Sequence, residues 1–210
     1  MSTKKPAMMA RYNASDRMNH WAQAILFFAA GLSGLAFFHP SLFFFSNLFG
    51  GGPWTRILHP FFGVLMALVF VLFFFRHLAD NRAIAADAEW RKNGLRMIMG
   101  DNRNTPPAGK FNAGQKGMFW AISLCVLVLL LTGLVFWRPW FAPYFPIGVI
   151  RIATLLHAVA AAVLVIVIIG HIYMAIWTKG SIHGMVRGEV SEAWARQNHS
   201  LWYREMKGGK

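Results

Sequence analysis

Long apolar stretches alternate with short polar ones along this chain. Uncharged apolar runs occupy residues 21–38, 60–75, 117–137 and 152–177. A helix needs about 17 to 25 residues to cross the hydrocarbon core of a bilayer, and residues 57–59 can lengthen the short second run. The pattern predicts an all-α integral membrane fold, a bundle of four transmembrane helices that forms one domain over residues 1–210. We place the spans at residues 20–38, 57–77, 114–137 and 151–177.

The remaining segments are predicted to form an N-terminus at residues 1–19, a loop at 78–113 and a tail at 178–210. Residues 41–49 are apolar but too few to cross, so we expect an interfacial or re-entrant piece before the break at residues 50–53. The first apolar run is longer than a signal-peptide core and no convincing cleavage site lies nearby, so we expect the first helix to be retained.

Charge predicts the orientation of the chain. The sequence is 56% hydrophobic and 14% charged, with 21 Lys and Arg against 8 Asp and Glu. Only Arg56, Arg138 and Arg151 fall in the segments after the first and third spans. Because basic loops stay inside, both termini are predicted to be cytoplasmic, in a bacterial inner membrane. The excess of basic residues is then explained by the orientation of the chain and by contacts with anionic lipids. The sequence has no surface of alternating aromatic and basic residues, so we expect no nucleic-acid partner.

Four histidines lie within or at the ends of the predicted spans, where ionisable residues are costly and usually functional. They are His20, His59, His157 and His171. The last two are fourteen residues apart on one predicted helix, which leaves them about 40° out of alignment and about 21 Å apart along the axis. They therefore share a face at opposite depths of the membrane.

The predicted topology sorts these histidines into two pairs of equal depth. His20 and His171 lie near the inner face, and His59 and His157 lie near the outer face. Two imidazoles from neighbouring helices are the axial ligands that a six-coordinate haem b needs, so we predict two b haems with these four residues as ligands to iron. A zinc site is a weaker explanation because its ligands would cluster. For His39, His77, His183 and His199 we expect structural or surface roles.

Residues near the four ligands fit this interpretation. The residue one turn later is small in each case, and these residues are Ala24, Gly63, Ala161 and Ala175. Arg17 and Arg56 each precede a ligand by three residues, so they could pair with haem propionates or could simply extend to the membrane interface. Cys125 stands alone in an apolar run, which favours an inert buried thiol.

The start of the third span has two possible roles. Asn112 with Gln115 resembles a capping box at a helix N-terminus. Alternatively, Asn112 or Gln115 could donate a hydrogen bond to a quinone carbonyl, with Gly114 leaving room for the ring. Spacing alone favours capping, and the two roles can coexist.

Several longer motifs resemble one family, the membrane γ or cytochrome b subunit of respiratory formate dehydrogenases. They cover nearly the whole chain in order. They include Arg17-Met18-Asn19-His20-Trp21, Arg56-Ile57-Leu58-His59-Pro60, Asn112-Ala113-Gly114-Gln115-Lys116, Leu156-His157-Ala158, Gly170-His171-Ile172-Tyr173 and Trp202-Tyr203-Arg204-Glu205.

The resemblance implies a subunit that transfers electrons and reduces quinone but holds no catalytic residue for formate. A partner α subunit with molybdenum or tungsten would oxidise formate, and an iron–sulfur β subunit would deliver electrons to the outer haem. The electrons would continue through the inner haem to a quinone near Asn112, Gly114 and His171. Gln115 is a further candidate quinone contact, which we add from its position beside these residues. A higher oligomer of the complex is also expected.

Two alternatives remain from the residues alone. The nearest is the cytochrome b subunit of a nickel–iron hydrogenase or related oxidoreductase, which has a similar di-haem plan. The other is a haem-free transporter or membrane anchor whose histidines relay protons.

Overall fold

The computed structural model describes residues 6–99 and 105–208, and most of them are helical. The four longest helices are each apolar enough to span a membrane, which confirms the predicted fold class. They are α1 (Ala14–Phe38), α2 (Gly52–His77), α4 (Ala113–Val135) and α5 (Ile147–Trp177). The shorter helices are α3 (Ala86–Ile98), α6 (Ser181–Arg187), α7 (Glu192–Asn198) and α8 (Ser200–Met206).

Helices α1 and α2 begin earlier than the spans predicted for them. Asn13 and Asp16 form a reciprocal cap, in which the Asp16 amide donates to Asn13 Oδ1 at 2.7 Å, and this cap starts α1 at Ala14. A 3-10 helix at Pro40–Phe49 occupies the apolar connecting segment. It ends at Gly50 and Gly51, whose φ angles of 85° and 92° are left-handed and favour glycine. α2 follows directly.

The contacts divide the chain into two units. The apolar unit consists of Met18–Phe75 and Ala121–Ile168. Its buried core contains Met66, Ala67 and Phe70 on α2 and Val126 on α4. Most of its other large side chains are exposed, as expected for a surface that faces lipid, where no water drives apolar groups inward.

The polar unit consists of the residues up to Arg17, Arg76–Trp120 and the residues from Ile169 onward. It contains an antiparallel ribbon of β1 (Met8–Ala10) and β2 (Glu189–Ser191), in which Met9 faces Val190. The sequence did not predict this ribbon, because three residues are too few to establish an alternating pattern. Met9 and Val190 pack with Ala195 and Trp202 in a small core.

Arg11 and His199 join three segments of the polar unit. Arg11 donates to the Lys110 carbonyl at 2.6 Å and lies 3.2 Å from His199 Nε2. The His199 Nδ1–H donates to the Gly109 carbonyl at 2.8 Å. The Arg11 guanidinium also stacks 4.7 Å from the Trp202 ring centre. His199 is therefore a buried structural residue, in keeping with the role expected for it.

Candidate functional site

His59 and His157 face each other inside the apolar unit. The two rings come from α2 and α5, their centres are 6.3 Å apart, and their planes differ by 72°. Phe37 packs edge-on against His59 and Phe136 against His157, so the pair lies in aromatic surroundings. The structure therefore brings together the two histidines that the sequence assigned to the outer haem.

A hydroxyl group lies against the Nδ1 atom of each ring. Ser33 Oγ on α1 is 2.9 Å from Nδ1 of His59, and Thr132 Oγ1 on α4 is 3.0 Å from Nδ1 of His157. Ser33 is fully buried and Thr132 nearly so. The same hydroxyls also approach the main chain of their own helices, Ser33 at 2.6 Å from the Ala29 carbonyl and Thr132 at 2.6 Å from the Val128 carbonyl.

These contacts fix which ring nitrogen carries hydrogen. Two oxygens 2.6 Å apart need a hydrogen between them, and the carbonyl has none, so each hydroxyl donates its single hydrogen to the carbonyl. The hydroxyl can then only accept from the imidazole. Nδ1 must therefore carry the hydrogen in both rings, and Nε2 presents its lone pair. Neutral imidazole with Nε2 available is the form that binds a metal ion.

The separation of the two rings fits a haem iron that both would bind. A metal–nitrogen bond of about 2 Å on each side, with about 1 Å from each nitrogen to its ring centre, requires ring centres roughly 6 Å apart. The observed separation of 6.3 Å agrees with this. Within the two described ranges, no group of three or more His, Cys, Asp or Glu side chains could hold a metal ion. The donor set thus fits haem better than tetrahedral zinc.

Glycine follows each hydroxyl residue and makes room for the imidazole. A Cβ at Gly34 would lie 3.1 Å from Cε1 of His59, and a Cβ at Gly133 would lie 3.3 Å from Cε1 of His157. At such short distances an added Cβ would force the ring or the helix to shift. The dipeptides Ser33-Gly34 and Thr132-Gly133 therefore play equivalent roles: the hydroxyl residue contacts Nδ1 of a ring, and the glycine leaves space for that ring.

The predicted inner ligands occupy different units. His20 lies on α1 in the apolar unit, with its ring centre 5.3 Å from that of Trp21. His171 lies on α5 in the polar unit and is half-buried. Their pairing stays a prediction, as does the number of haems.

The two arginines proposed as propionate partners have different surroundings. Arg17 donates from Nη1 to the Arg187 carbonyl at 3.1 Å, and a Cβ at Gly188 would overlap its guanidinium. Arg56 is exposed on α2. The contact with propionates remains a prediction for both residues.

The cap predicted at the start of the third span is present at α4. The Asn112 amide donates to Gln115 Oε1 and the Gln115 amide donates to Asn112 Oδ1, each at 2.9 Å. This cap uses only the oxygen of each side chain, so it does not consume either NH2 group. Capping and quinone binding can therefore coexist, and the quinone roles of Asn112, Gln115, Gly114 and His171 stay predictions.

The indole of Trp90 on α3 lies against Gly114. A Cβ at this glycine would be 2.6 Å from Cη2 of Trp90, so the missing side chain accommodates an aromatic ring of the chain itself. The Nε1 atom of Trp90 is buried without an acceptor among the described residues. Next along α4, Lys116 forms a buried ion pair with Asp87, with Nζ 2.9 Å from Oδ2.

Ser33, Thr132 and Trp90 were not anticipated from the sequence. Hydroxyl residues are common in membrane helices, where they bond to their own backbone, so a lone Ser or Thr carries little signal. A usable signal was the repetition of Ser-Gly and Thr-Gly at 26 and 25 residues before the two histidines. For Trp90 we find no sequence signal.

Comparison with known proteins gives consistent results. Residues 11–188 match the model of the family described as prokaryotic cytochrome b561. The chain is 43% identical to the nitrate-inducible formate dehydrogenase cytochrome b556(Fdn) subunit of Escherichia coli K12, over 97% of this chain and 94% of that protein. It is also 43% identical to the cytochrome b556(fdo) subunit of the same organism, over 97% and 96%. The formate dehydrogenase cytochrome b556 subunit of Haemophilus influenzae is 39% identical, over 93% and 82%.

Proposed function

The chain belongs to the prokaryotic cytochrome b561 family, among the cytochrome b subunits of formate dehydrogenases, and from this premise we propose that it carries electrons across the membrane to a quinone. The resemblance noted in the sequence is confirmed, and the chain is a haem-binding membrane subunit of an oxidoreductase complex. The single observation that carries the proposal is the facing pair His59 and His157, each with Nε2 available.

Four histidines would hold two haems. His59 and His157 would bind the outer one, and His20 and His171 the inner one. When bound, each haem b would supply a one-electron carrier, and the two histidines that hold it would discourage oxygen binding. The fourteen-residue spacing of His157 and His171 on α5 supports two depths for these sites. Arg17 and Arg56 would balance propionate charge.

Quinone binding is proposed at the start of α4. The NH2 groups of Asn112 and Gln115 are hydrogen-bond donors that the cap leaves unused, and quinone carbonyls are acceptors. Trp90 offers a third donor, because its Nε1 has no acceptor among the described residues, while the opposite edge of its indole lies against Gly114. His171 would face this region as a contact of the quinone. A quinone accepts two electrons and two protons, so the site must also reach water.

The positions of the two reactions would generate proton-motive force without a pump. Formate oxidation on a partner α subunit with molybdenum or tungsten releases carbon dioxide, one proton and two electrons outside. An iron–sulfur β subunit would pass the electrons to this chain. Quinone reduction near the cytoplasmic face then takes two protons from inside. The basic residues in the N-terminus, the loop at 78–113 and the tail support this orientation in the bacterial inner membrane.

Haem content of single variants tests the ligand assignment. The wild-type chain in its purified complex is expected to hold two haem b groups, measured as the pyridine haemochrome against protein. His59→Ala and His157→Ala should each lose the same spectral component, while His20→Ala and His171→Ala should lose the other. Loss of one component by both His20→Ala and His59→Ala would contradict the pairing. Lack of any b-type absorption in a haem-supplied preparation would favour a haem-free transporter or anchor.

Electron order has a separate test. Formate-driven reduction of the haem retained in His59→Ala or His157→Ala should be abolished, because electrons would enter through the missing outer site. Continued rapid reduction would refute the order. A complex that oxidises hydrogen instead of formate would favour the hydrogenase alternative.

A further inference from the structure

We propose that Ser33 and Thr132 are positioning residues that hold the two outer histidines in the metal-binding tautomer and set the electron-donating strength of their rings. This inference rests on the proposed function, because it assigns both residues to the haem that His59 and His157 would bind. Neither residue would bind the iron, and each would act through the imidazole that it contacts.

The same arrangement occurs twice on different helices. Ser33 on α1 serves His59, and Thr132 on α4 serves His157. In both cases the hydroxyl donates to the carbonyl four residues earlier and accepts from Nδ1–H, and a glycine follows it. A bond to the fourth preceding carbonyl is ordinary for Ser or Thr in a membrane helix. The second bond, to a ring that faces another histidine, is the feature that packing alone does not require.

The hydrogen bond from Nδ1–H to the hydroxyl changes the electronic properties of each imidazole. An imidazole that donates its Nδ1–H to an acceptor becomes a more basic ligand at Nε2. A more basic ligand favours ferric over ferrous iron and therefore lowers the reduction potential. Removing the hydroxyl would take away one of the two acceptors near the N–H and leave only the backbone carbonyl, that of Ala30 for His59 and of Leu129 for His157. The preference for ferric iron would then be weaker. The potential of the outer haem should consequently rise.

The chain offers conservative and control variants. Ser33→Ala and Thr132→Val remove the hydroxyl with little change in volume, whereas Ser33→Thr and Thr132→Ser retain it. Thr154 on α5 is a matched control, because it makes the same bond to the fourth preceding carbonyl, that of Ile150, at 2.9 Å but is exposed. Thr154→Val therefore removes an equivalent hydroxyl from outside the proposed site.

The experiment is a potentiometric titration of both b-type components in the purified complex. Haem content and the electron paramagnetic resonance spectrum of the ferric state are measured in parallel. Ser33→Ala and Thr132→Val should each raise the potential of the component that is lost in His59→Ala. A roughly three- to tenfold loss of the ferric preference is expected, and tenfold corresponds to about 59 mV for a one-electron couple. The double variant should shift further, and Ser33→Thr and Thr132→Ser should restore the wild-type value.

The outcomes separate this inference from the function on which it rests. If the wild-type complex shows two haems but the hydroxyl variants leave potential and spectrum unchanged, the positioning role is wrong and the proposed function stands. An equal shift in Thr154→Val, or equal shifts of both components, would also overturn the inference. A wild-type chain without b-type absorption would instead overturn the proposed function. If Ser33→Ala fails to assemble, Thr132→Val and Thr132→Ser carry the test alone.

Discussion

The buried histidines of this chain differ in which ring nitrogens are engaged, and this difference decides what each can bind. His199 uses both nitrogens, since Nδ1–H donates to Gly109 and Nε2 accepts from Arg11. Its ring therefore stabilises the surrounding backbone and cannot bind a metal ion without losing one of these two hydrogen bonds. His59 and His157 use Nδ1 for a hydroxyl and keep the lone pair of Nε2 available, with their ring centres 6.3 Å apart. Burial alone would not distinguish the two kinds of histidine.

The state of His199 predicts an acid-sensitive polar unit. Burial, together with the positive charge of Arg11, lowers the pKa of His199 to about 3. The unfolded chain has the ordinary histidine pKa of about 6.5, so between these values it binds more protons than the folded chain. The contribution of His199 to the free energy of unfolding is complete above about pH 6.5. It falls as the pH drops towards about 3, by at most about 1.4 kcal/mol per pH unit. Hydrogen exchange of residues 189–206 against pH measures this loss.

A glutamine at position 199 should remove that pH dependence. The Gln side chain can still donate to the Gly109 carbonyl and accept from Arg11, but it does not titrate. His199→Gln is expected to flatten the profile, while His183→Gln, at an exposed site on α6, should leave it unchanged. An unchanged slope in His199→Gln would show that another group controls the acid sensitivity.

Substitutions at the α4 cap can separate capping from quinone binding. Asn112→Asp retains the oxygen that caps α4 but lacks the NH2 group, and Gln115→Glu does the same for the second half of the cap. Each should leave thermal stability nearly unchanged and raise the KM for quinone roughly five- to tenfold, the effect of one lost hydrogen bond. Asn112→Ala should lose both functions. If Asn112→Asp retains normal quinone kinetics, Asn112 is only a cap.

At the scale of elements, two long helices of this chain start at pairs of polar residues three positions apart, a spacing that can be recognised in the sequence. The cap of Asn112 with Gln115 follows the expected spacing, and α4 begins at Ala113, one residue from the predicted 114. Asn13 with Asp16 extends α1 beyond the apolar run in the same way. By contrast, the β1–β2 ribbon joins segments that are about 180 residues apart in sequence, and local pattern carries no information about such pairings.

The attachment of α3 to α4 depends on the ion pair of Asp87 and Lys116. Both side chains are less than a tenth exposed, and Asp87 also accepts from the Ile84 amide at the start of α3. Lys116→Met would leave the carboxylate buried and uncompensated, which costs about 3–5 kcal/mol. We expect thermal unfolding in detergent to occur at a clearly lower temperature in this variant.

Removing both charges should recover most of that loss. Asp87→Asn retains an oxygen for the Ile84 amide, so the double variant Asp87→Asn with Lys116→Met loses the ion pair but keeps the bond at the start of α3. Neutral replacements for a buried pair are often tolerated. A double variant as unstable as Lys116→Met would show that the ion pair itself, not the unpaired charge, determines stability.

At the scale of the whole molecule, the predictable part of the site is the part that follows from helical geometry. The four apolar runs predict the four long helices that the structure contains, and they led to the pair His59 and His157 that it brings together. The sorting of all four histidines by depth stays a prediction. The partners Ser33 and Thr132 depend on which helix faces meet, which apolar sequences leave open because lipid and protein interior are equally apolar. Close packing of side chains, such as Trp90 on Gly114, is unspecified in the sequence for the same reason.

Orientation is the whole-molecule property on which the proton circuit depends. Cys125 is the only cysteine, so Cys125→Ser gives a background without thiols. Arg82→Cys lies in the loop predicted to be inside, and Tyr144→Cys lies at a highly exposed site between α4 and α5, predicted to be outside. A membrane-impermeant maleimide should label Arg82→Cys only in inverted vesicles and Tyr144→Cys only in right-side-out vesicles. The reason is the asymmetry of Lys and Arg.

The reverse labelling would have a definite mechanistic consequence. If Tyr144→Cys were labelled from the inside, the start of α4 would face outward, and the His59–His157 end, where the partner is proposed to deliver electrons, would face the cytoplasm. The quinone would then take its protons from outside while formate oxidation released one inside, so electron transfer would dissipate a proton gradient instead of building one. With the predicted orientation, each formate consumes two inner protons and releases one outer proton while two electrons move inward. The positions of basic residues therefore bear directly on whether this subunit conserves energy.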